Sequence, residues 1–481
     1  MQTATETERK YDVPAGFSLP PLAGAAEVVR HGEADTHDLD ATYFDTEDLR
    51  LAHHRRTLRR RTGGEDAGWH LKTPGDGASR TEHRLPLTDG DDVPAELIAE
   101  VRTIVRTRPL RPVARLRTHR VETPLRDADD RILALIAQDE VRADTDDGEQ
   151  RWQELEVELV DGGPEVLDAV EGLLCAAGAT PAAGPSKLAR ALGDRLAATD
   201  HRDKKINPVL RYAREQREAV EDEDAGVRAG SAEAVHKMRV ATRRLRSTLK
   251  TFKGSFDPER ATALKTELKW LADRLGAVRD GQVLSHKLLA VAGEFPEVAA
   301  GIRERLDADV ARGREELVAA LDSDRYLALL DAMDELVDDP APDDADARRR
   351  AGKALRKADR LLDEATADEV DGELHEARKA YKQARYGVEV YAPGAGKPGK
   401  RLVKALTALQ DVLGGHQDSV VAREVLREVA RTAPDAFGYG VLYGRQEQVG
   451  EATLRELPSR DQGLPPHEGA GLAALRVAPS G

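Results

Sequence analysis

At 481 residues the chain is too long for a single hydrophobic core, and with 40% apolar and 33% charged residues it reads as two or three folded domains rather than as a disordered polymer. The formal charge of −15 argues against general nucleic-acid affinity, although local basic stripes still decide whether an anion binds. Cys175 is the only cysteine, which excludes an intrachain disulfide and a cysteine-based metal cluster and suits a reducing cytoplasm.

The first stretch, Glu6-Thr7-Glu8-Arg9-Lys10, runs as Tyr11-Asp12-Val13 into a break at Pro14 and Gly16. As a strand it places Glu6, Glu8 and Lys10 on one face, because side chains alternate. Two carboxylates and an ammonium on one face can hold a divalent cation beside an anion. Short runs of the same texture follow: Asp40 to Thr46, Leu58-Arg59-Arg60-Arg61, Trp69-His70-Leu71-Lys72, and Arg80 to Leu85. They set Arg59 with Arg61, and Glu82 with Arg84, on single faces. A helix is expected from Pro94 to Arg106, ended by Pro109 and Pro112. A strand pair, Val113 to Val121 and Ile132 to Val141, then turns at Asp127 to Asp130 and offers Arg115, Arg117, Arg120 and Asp139. Arg115 and Arg117 differ in parity from Arg120, so either a bulge intervenes or only one set points inward. Trp152 to Val160 alternates strictly, with Glu154, Glu156 and Glu158 on one face and Leu155, Val157 and Leu159 on the other. A helix from Pro164 to Ala177 leads to Ser186-Lys187.

Any one of these strands fits an ordinary half-exposed antiparallel sheet. Together they carry few uncharged polar residues on the polar face. If the sheet closes, those faces line an interior that is costly unless it binds something, and a phosphate chain with a bridging metal suits it. The motifs Glu6-x-Glu8-x-Lys10, Tyr43-Phe44-Asp45-Thr46, Leu58-Arg59-Arg60-Arg61, Trp69-x-Leu71-Lys72, Glu154-x-Glu156-x-Glu158 and Ser186-Lys187 resemble, in order, the CYTH family of triphosphate tunnel metalloenzymes, over residues 3 to 195. The resemblance implies an eight-stranded antiparallel β tunnel that binds a triphosphate and cleaves it with Mg²⁺ or Mn²⁺. It implies Lys10, Arg59, Arg61, Glu82, Arg84, Arg115, Arg117 and Arg120 at the substrate, and Glu6, Glu8, Asp139, Glu154, Glu156 and Glu158 at the metal. Glu8, Lys72, Glu156 and Lys187 form the expected catalytic set. Ser186 is expected to cap or turn the chain, since no His/Asp partner for a nucleophile is evident.

Beyond a polar linker the texture becomes helical, rich in Ala, Leu, Arg and Glu. Asn207-Pro208 starts a helix to about Val220, the acids at 221 to 224 read as a solvated loop, and Ser231 caps the next helix. That helix carries His236, Arg239, Arg243, Arg246 and Lys250 at steps of three and four, all along one face. Like charges so placed repel unless an anion neutralises them. An internal repeat follows: Val235-His236-x-x-Arg239 returns as Leu374-His375-x-x-Arg378, continuing through Lys382 and Arg385. Leu275-Gly276 to Asp280 returns as Leu413-Gly414 to Asp418. Glu389 stands where the first copy has Lys250. Residues 204 to 455 so resemble the CHAD family, conserved-histidine α-helical domains, which implies two related four-helix bundles that bind inorganic polyphosphate. Trp270 is expected in the core.

The expected chain is thus α+β with two domains: the tunnel over 1–196, a linker over 197–205, an all-α duplicated unit over 206–455 with halves 206–336 and 346–455, and a tail over 456–481. The expected ligands are inorganic triphosphate and polyphosphate with Mg²⁺ or Mn²⁺. No membrane and no specific nucleic acid are expected, since no apolar run approaches the roughly 20 residues a spanning helix needs. The expected location is the cytoplasm, in association with polyphosphate granules. The alternatives are a non-catalytic polyphosphate binder and an adenylate cyclase on the same barrel.

Overall fold

The period-two alternation of the first 160 residues becomes a closed β-barrel in the computed structural model, which describes residues 2–14, 16–75, 79–199, 207–338, 346–368 and 371–457. The chain divides into two units between Lys204 and Lys205. The first contains, in order, β1 (Gln2–Asp12), β2 (Arg30–His31), β3 (Asp35–Asp45), α1 (Arg50–His53), β4 (Thr57–Thr62), β5 (Gly68–Pro74), β6 (Ser79–Leu85), α2 (Ala95–Val105), β7 (Arg111–Arg126), β8 (Ile132–Thr145), β9 (Gly148–Leu159), α3 (Pro164–Ala176), β10 (Thr180–Pro181) and α4 (Lys187–Thr199). The pairing order is β10-β1-β6-β5-β4-β3-β7-β8-β9, antiparallel throughout, and β1 closes the ring on β9. β2 and β10 are two-residue additions, so eight long strands make the barrel. β1 changes partner midway: Gln2 to Thr7 pair with β6, and Glu8 to Asp12 with β9.

This barrel is built inside out. Apolar faces point outward and are covered: α2 packs on Phe44, Leu58, Trp69 and Leu71, and α3 on Tyr11, Leu133, Leu155 and Val157. Truncating a fully buried side chain such as Leu71 to Ala would cost about 2–5 kcal/mol. The inward faces of β1, β4, β5, β6 and β9 are charged instead. Along β3, β7 and β8 much of the inner face is apolar, and there α4 docks Leu188, Ala191 and Leu192 against Ala41, Tyr43, Leu116, Val141 and Ala143.

The second unit is helical: α5 (Pro208–Asp222), α6 (Asp224–Arg228), α7 (Ala232–Thr251), α8 (Pro258–Val291), α9 (Pro296–Leu321), α10 (Asp324–Asp338), α11 (Ala347–Asp368), α12 (Asp371–Glu389), α13 (Gly396–Ala430) and α14 (Phe437–Arg455). Asn207 Oδ1 and Ser231 Oγ cap α5 and α7, accepting from Leu210 N at 3.0 Å and Ala234 N at 3.2 Å. One core gathers Leu245, Leu249, Phe252, Leu271 and Tyr326 from the first half, and a second gathers Leu355, Leu374, Tyr381 and Leu406 from the other. A third joins the distal parts of α8, α9, α13 and α14 through Leu288, Ile302, Leu426 and Leu442. Among the described residues the first half has one more long helix, α10, than the second. Trp270 packs partly buried against its core beneath Arg325.

The acids at 221 to 224 are not a solvated loop. Glu221 and Asp224 are 5% and 4% exposed, and Asp224 holds Arg228 at 2.6 Å as α6 begins. No helix among the described residues is long and apolar enough to cross a membrane. The expected linker at 197–205 and tail at 456–481 lie largely outside the described residues, as do residues 339–345 between the two expected halves.

Candidate functional site

The alternation that covers the barrel's outside with apolar residues leaves Glu6, Glu8 and Lys10 of β1, Arg59 and Arg61 of β4, Lys72 of β5, Glu82 and Arg84 of β6, Arg120 of β7 and Glu156 and Glu158 of β9 around one cavity of about 100 Å³, with Lys187 entering from α4. Removing such ions from water costs several kcal/mol each, so they persist by pairing. Lys187 Nζ sits among Asp139, Glu154 and Glu156 at 2.8, 2.7 and 2.7 Å. Burial opposes its charge, but those three carboxylates outweigh that and raise its pKa. Arg120 grips Asp139 with both ends of its fork, at 2.8 and 2.7 Å, and reaches Glu156 at 2.5 Å. Lys10 bridges Glu156 and Glu8, the latter at 3.1 Å. Lys72 holds Glu6 and lies 3.7 Å from Glu82, while Arg84 binds Glu82 and reaches Glu6 at 2.9 Å. Arg59 donates to the Tyr43 hydroxyl at 3.3 Å. Arg61, paired with Asp66, is lowered to about 9 by burial and by the neighbouring Arg59 and Arg120.

The carboxylates divide into two groups. Asp139, Glu154 and Glu156 bring oxygens within 4.8 Å of one another, the spacing of a metal-binding triad, but Lys187 already occupies their midst. Glu6 is held by Lys72 and Arg84, and Lys10, Lys72 and Arg80 outweigh burial at Glu8 and lower its pKa, whereas Glu158 makes no ion pair among the described residues. Burial together with Glu6, Glu8 and Glu156 pushes the Glu158 carboxyl up to about 7. Glu8 Oε1 is buried without a hydrogen-bond partner. An orphaned oxygen beside a carboxyl that resists ionisation fits a hard divalent cation, which takes oxygen ligands.

Two expected substrate residues lie elsewhere. Arg115 and Arg117 point outward, their side chains 57% and 45% exposed, and pair with Asp40 and Asp144. The β7–β8 register is continuous from Ala114 to Leu125, so no bulge intervenes between them and Arg120, and parity alone sends them out. Glu82 is fully buried and holds His70 at 3.0 Å besides Lys72 and Arg84; an anion so placed anchors cations and does not itself meet an anionic ligand. Arg80, Tyr43 and Asp66 also line the cavity and were missed. Arg80 shares its parity with Glu82 and Arg84, so its signal was present. Tyr43 belongs to a strand whose inner face is otherwise apolar, and Asp66 to a loop. Ser186 Oγ accepts from Ala189 N at 3.1 Å as the cap of α4.

In the helical unit α7 and α12 lie side by side, tied by Gln383 to Thr251 at 3.1 Å, which brings the two basic stripes together. The repeat is visible in space. Arg239 clasps Asp280 at 2.7 and 2.8 Å, and Arg378 feels Asp418 in the matching place. The two glycines lie against the two guanidinium groups: a Cβ at Gly276 would stand 3.6 Å from Arg239 Nη2, and one at Gly414 3.8 Å from Arg378 Nη2, ordinary contact in both cases. Burial, Arg378, Arg243 and Arg239 push Lys382 down to about 7. Burial and Arg279, Arg243 and Arg239 lower His236, whereas His375 meets Gln417 at 2.6 Å. His236 and Lys250 are exposed, with Arg246 between them on the same face of α7. Arg385 is withdrawn from the stripe, bound to Gln410 at 3.0 Å and Glu389 at 2.9 Å. Glu389 also holds Tyr212 at 2.6 Å and Arg244 at 3.1 Å, which neutralises that end of the groove.

Comparison with known proteins gives both halves a family. The CYTH domain family matches residues 4–192 and the CHAD domain family residues 211–427. An uncharacterised protein of Mycobacterium tuberculosis is 40% identical over 495 residues, covering 94% of this chain and 94% of its own. Among solved structures, PptA from Streptomyces chartreusis is 21% identical with a TM-score of 0.45, over 52% of this chain and 95% of its own. The CHAD domain of the plant Ricinus communis is 30% identical with a TM-score of 0.42, over 52% of this chain and 91% of its own. With a CYTH barrel followed by a CHAD helical unit, and a full-length relative at 40% identity, the chain belongs to the family of CYTH–CHAD proteins.

Proposed function

We propose that the barrel hydrolyses inorganic triphosphate to pyrophosphate and phosphate, with Mg²⁺ or Mn²⁺, and that the helical unit binds polyphosphate. The observation that carries this reading is the set of cations Lys10, Arg59, Arg61, Lys72, Arg84 and Arg120 around one cavity, each now held by a carboxylate or a phenol that phosphate oxygens can replace. Arg59, Arg61 and Arg120 present planar forks, which match phosphate in pairs, and Lys72 and Lys187 act as point charges. Glu6, Glu8 and Glu158 would hold the metal, with Asp139, Glu154 and Glu156 keeping Lys187 and Arg120 in place. When bound, the metal neutralises phosphate charge and lowers the pKa of a water. Phosphoryl transfer asks little covalent chemistry of the protein, so positioning and charge account for the work of these residues. Glu156 is surrounded by Lys10, Lys187 and Arg120, which overcome burial and hold it well below the usual carboxylate range. It orients these cations and is a poor proton acceptor.

A nucleoside substrate would need a shelf for its base. Among the described residues Tyr43 is the one aromatic residue lining the cavity, and its hydroxyl is engaged by Arg59. In the helical unit, Arg239, Arg243, Arg378 and Lys382 repel one another, and a polyanion laid between α7 and α12 would relieve that repulsion. The test is Glu8→Gln in the full chain. Loss of metal-dependent turnover with polyphosphate binding retained supports the reading; wild-type chain that binds polyphosphate without turnover makes the protein a binder.

A further inference from the structure

On its β6 side β1 has a gap. Pairing with β6 ends at Thr7 with Ser79, and pairing with β10 begins at Tyr11 with Pro181, so among the described residues Glu8, Arg9 and Lys10 have no strand beside them there. A backbone bond runs from Ala182 N to Lys10 O at 2.9 Å across the gap. A second cavity of about 280 Å³ fills this place and shares Glu8, Lys10 and Arg80 with the wall of the tunnel. We infer that this side cavity is a subsite for the next phosphate of a longer chain, so that the barrel takes linear polyphosphates of four or more units, an inference that rests on the triphosphatase reading above.

Two arginines give the cavity its chemistry. Arg80 donates through Nη2 to the Pro185 carbonyl, which fixes its guanidinium at the opening, with Nη1 3.9 Å from Glu8. Arg55 also lines the cavity, exposed, and makes no ion pair among the described residues. Its backbone is held firmly. It follows α1, which is tied to the buried Asp45 carboxylate by the Leu51 and Ala52 N–H groups, both at 2.9 Å, and its φ is +56°. Glu171, the other acid on this wall, is occupied by Arg9 at 3.1 Å. The remaining wall is proline, glycine, Ser79 and Ala182, with no aromatic face among the described residues for a nucleobase to stack on. A free arginine and a tethered one beside Lys10 therefore select an anionic group continuing from the tunnel, not a nucleoside.

The experiment compares kcat/KM for tetrapolyphosphate and tripolyphosphate in the full chain, in wild type and in Arg55→Asn. Asparagine tolerates the left-handed backbone, so the variant loses charge without loss of fold. Wild type is expected to prefer the longer chain, and Arg55→Asn to lower the ratio of the two constants about fivefold, as for a partly exposed charge contact. Arg55→Lys should restore part of it. A wild-type preference for tripolyphosphate or ATP, or a ratio that Arg55→Asn leaves unmoved, overturns the subsite and leaves triphosphate hydrolysis standing. No turnover of either polyphosphate removes the triphosphatase reading and the subsite with it.

Discussion

Replacing Lys382 with Gln should make the helical unit more stable while weakening its grip on polyphosphate. Lys382 stands against Arg378, Arg243 and Arg239, and burial and these charges bring it from 10.5 to about 7. A lysine whose pKa is lower folded than unfolded destabilises the fold while it is protonated. The burden is full below pH 7 and fades as the pH rises towards 10.5. A gap of about 3.5 pH units sets a ceiling of roughly 5 kcal/mol, and screening at the partly exposed groove brings the working figure to about 2 kcal/mol. In a unit of this size that is a rise in Tm of about 5 °C. Differential scanning calorimetry of Lys382→Gln at pH 6 and pH 9.5 should show the larger gain at pH 6. Added polyphosphate should raise the wild-type Tm more than that of the variant, because the anion relieves the same repulsion. A variant no more stable than wild type at pH 6, or a difference that ignores pH, would refute the electrostatic account of the groove.

Arg59→Ala removes a half-buried cation from the tunnel and should lower kcat/KM for tripolyphosphate about 100-fold, as for a lost transition-state contact; an unchanged phosphate-release rate would remove Arg59 from the site. Arg115→Ala and Arg117→Ala lie on the outer face and should leave that rate within about twofold, whereas a tenfold loss would place them in the cavity. Mn²⁺ binding by wild type should weaken about tenfold from pH 8 to pH 6, because protons compete for a Glu158 carboxyl held near 7. Glu158→Gln should flatten that dependence; an equally steep titration in the variant would assign the proton to another group.

Much of the barrel was legible because its strands obey a strict period of two, and a charged face with few uncharged polar residues, repeated on successive strands, suits the lined interior of a closed sheet. Parity also contained Arg80, two residues before Glu82 on the same face. What period could not decide was which parity of β7 faces in, since Arg115, Arg117 and Arg120 all sit in a strand with polar residues on both sides. The answer comes from α4, which packs on Leu116 and so commits that parity to the inside. In the helical unit the duplicated stripe was plain, but its end was not. Arg385 and Glu389 are four residues apart, the spacing of a helical ion pair, and the structure spends Arg385 on that pair. The acids at 221 to 224 read as solvated because Arg228, which accounts for Asp224, is placed by the turn into α6. Lys187 inside the acidic triad is likewise a tertiary fact.

The measurement that bears most directly on the barrel is phosphate release from tripolyphosphate by the full chain, with Mg²⁺ or Mn²⁺ and with a chelator as control. Metal-dependent release of one phosphate and one pyrophosphate per tripolyphosphate is the result expected. Absence of release under both metals, from folded protein that still binds tripolyphosphate, would contradict the assignment of the barrel as a hydrolase.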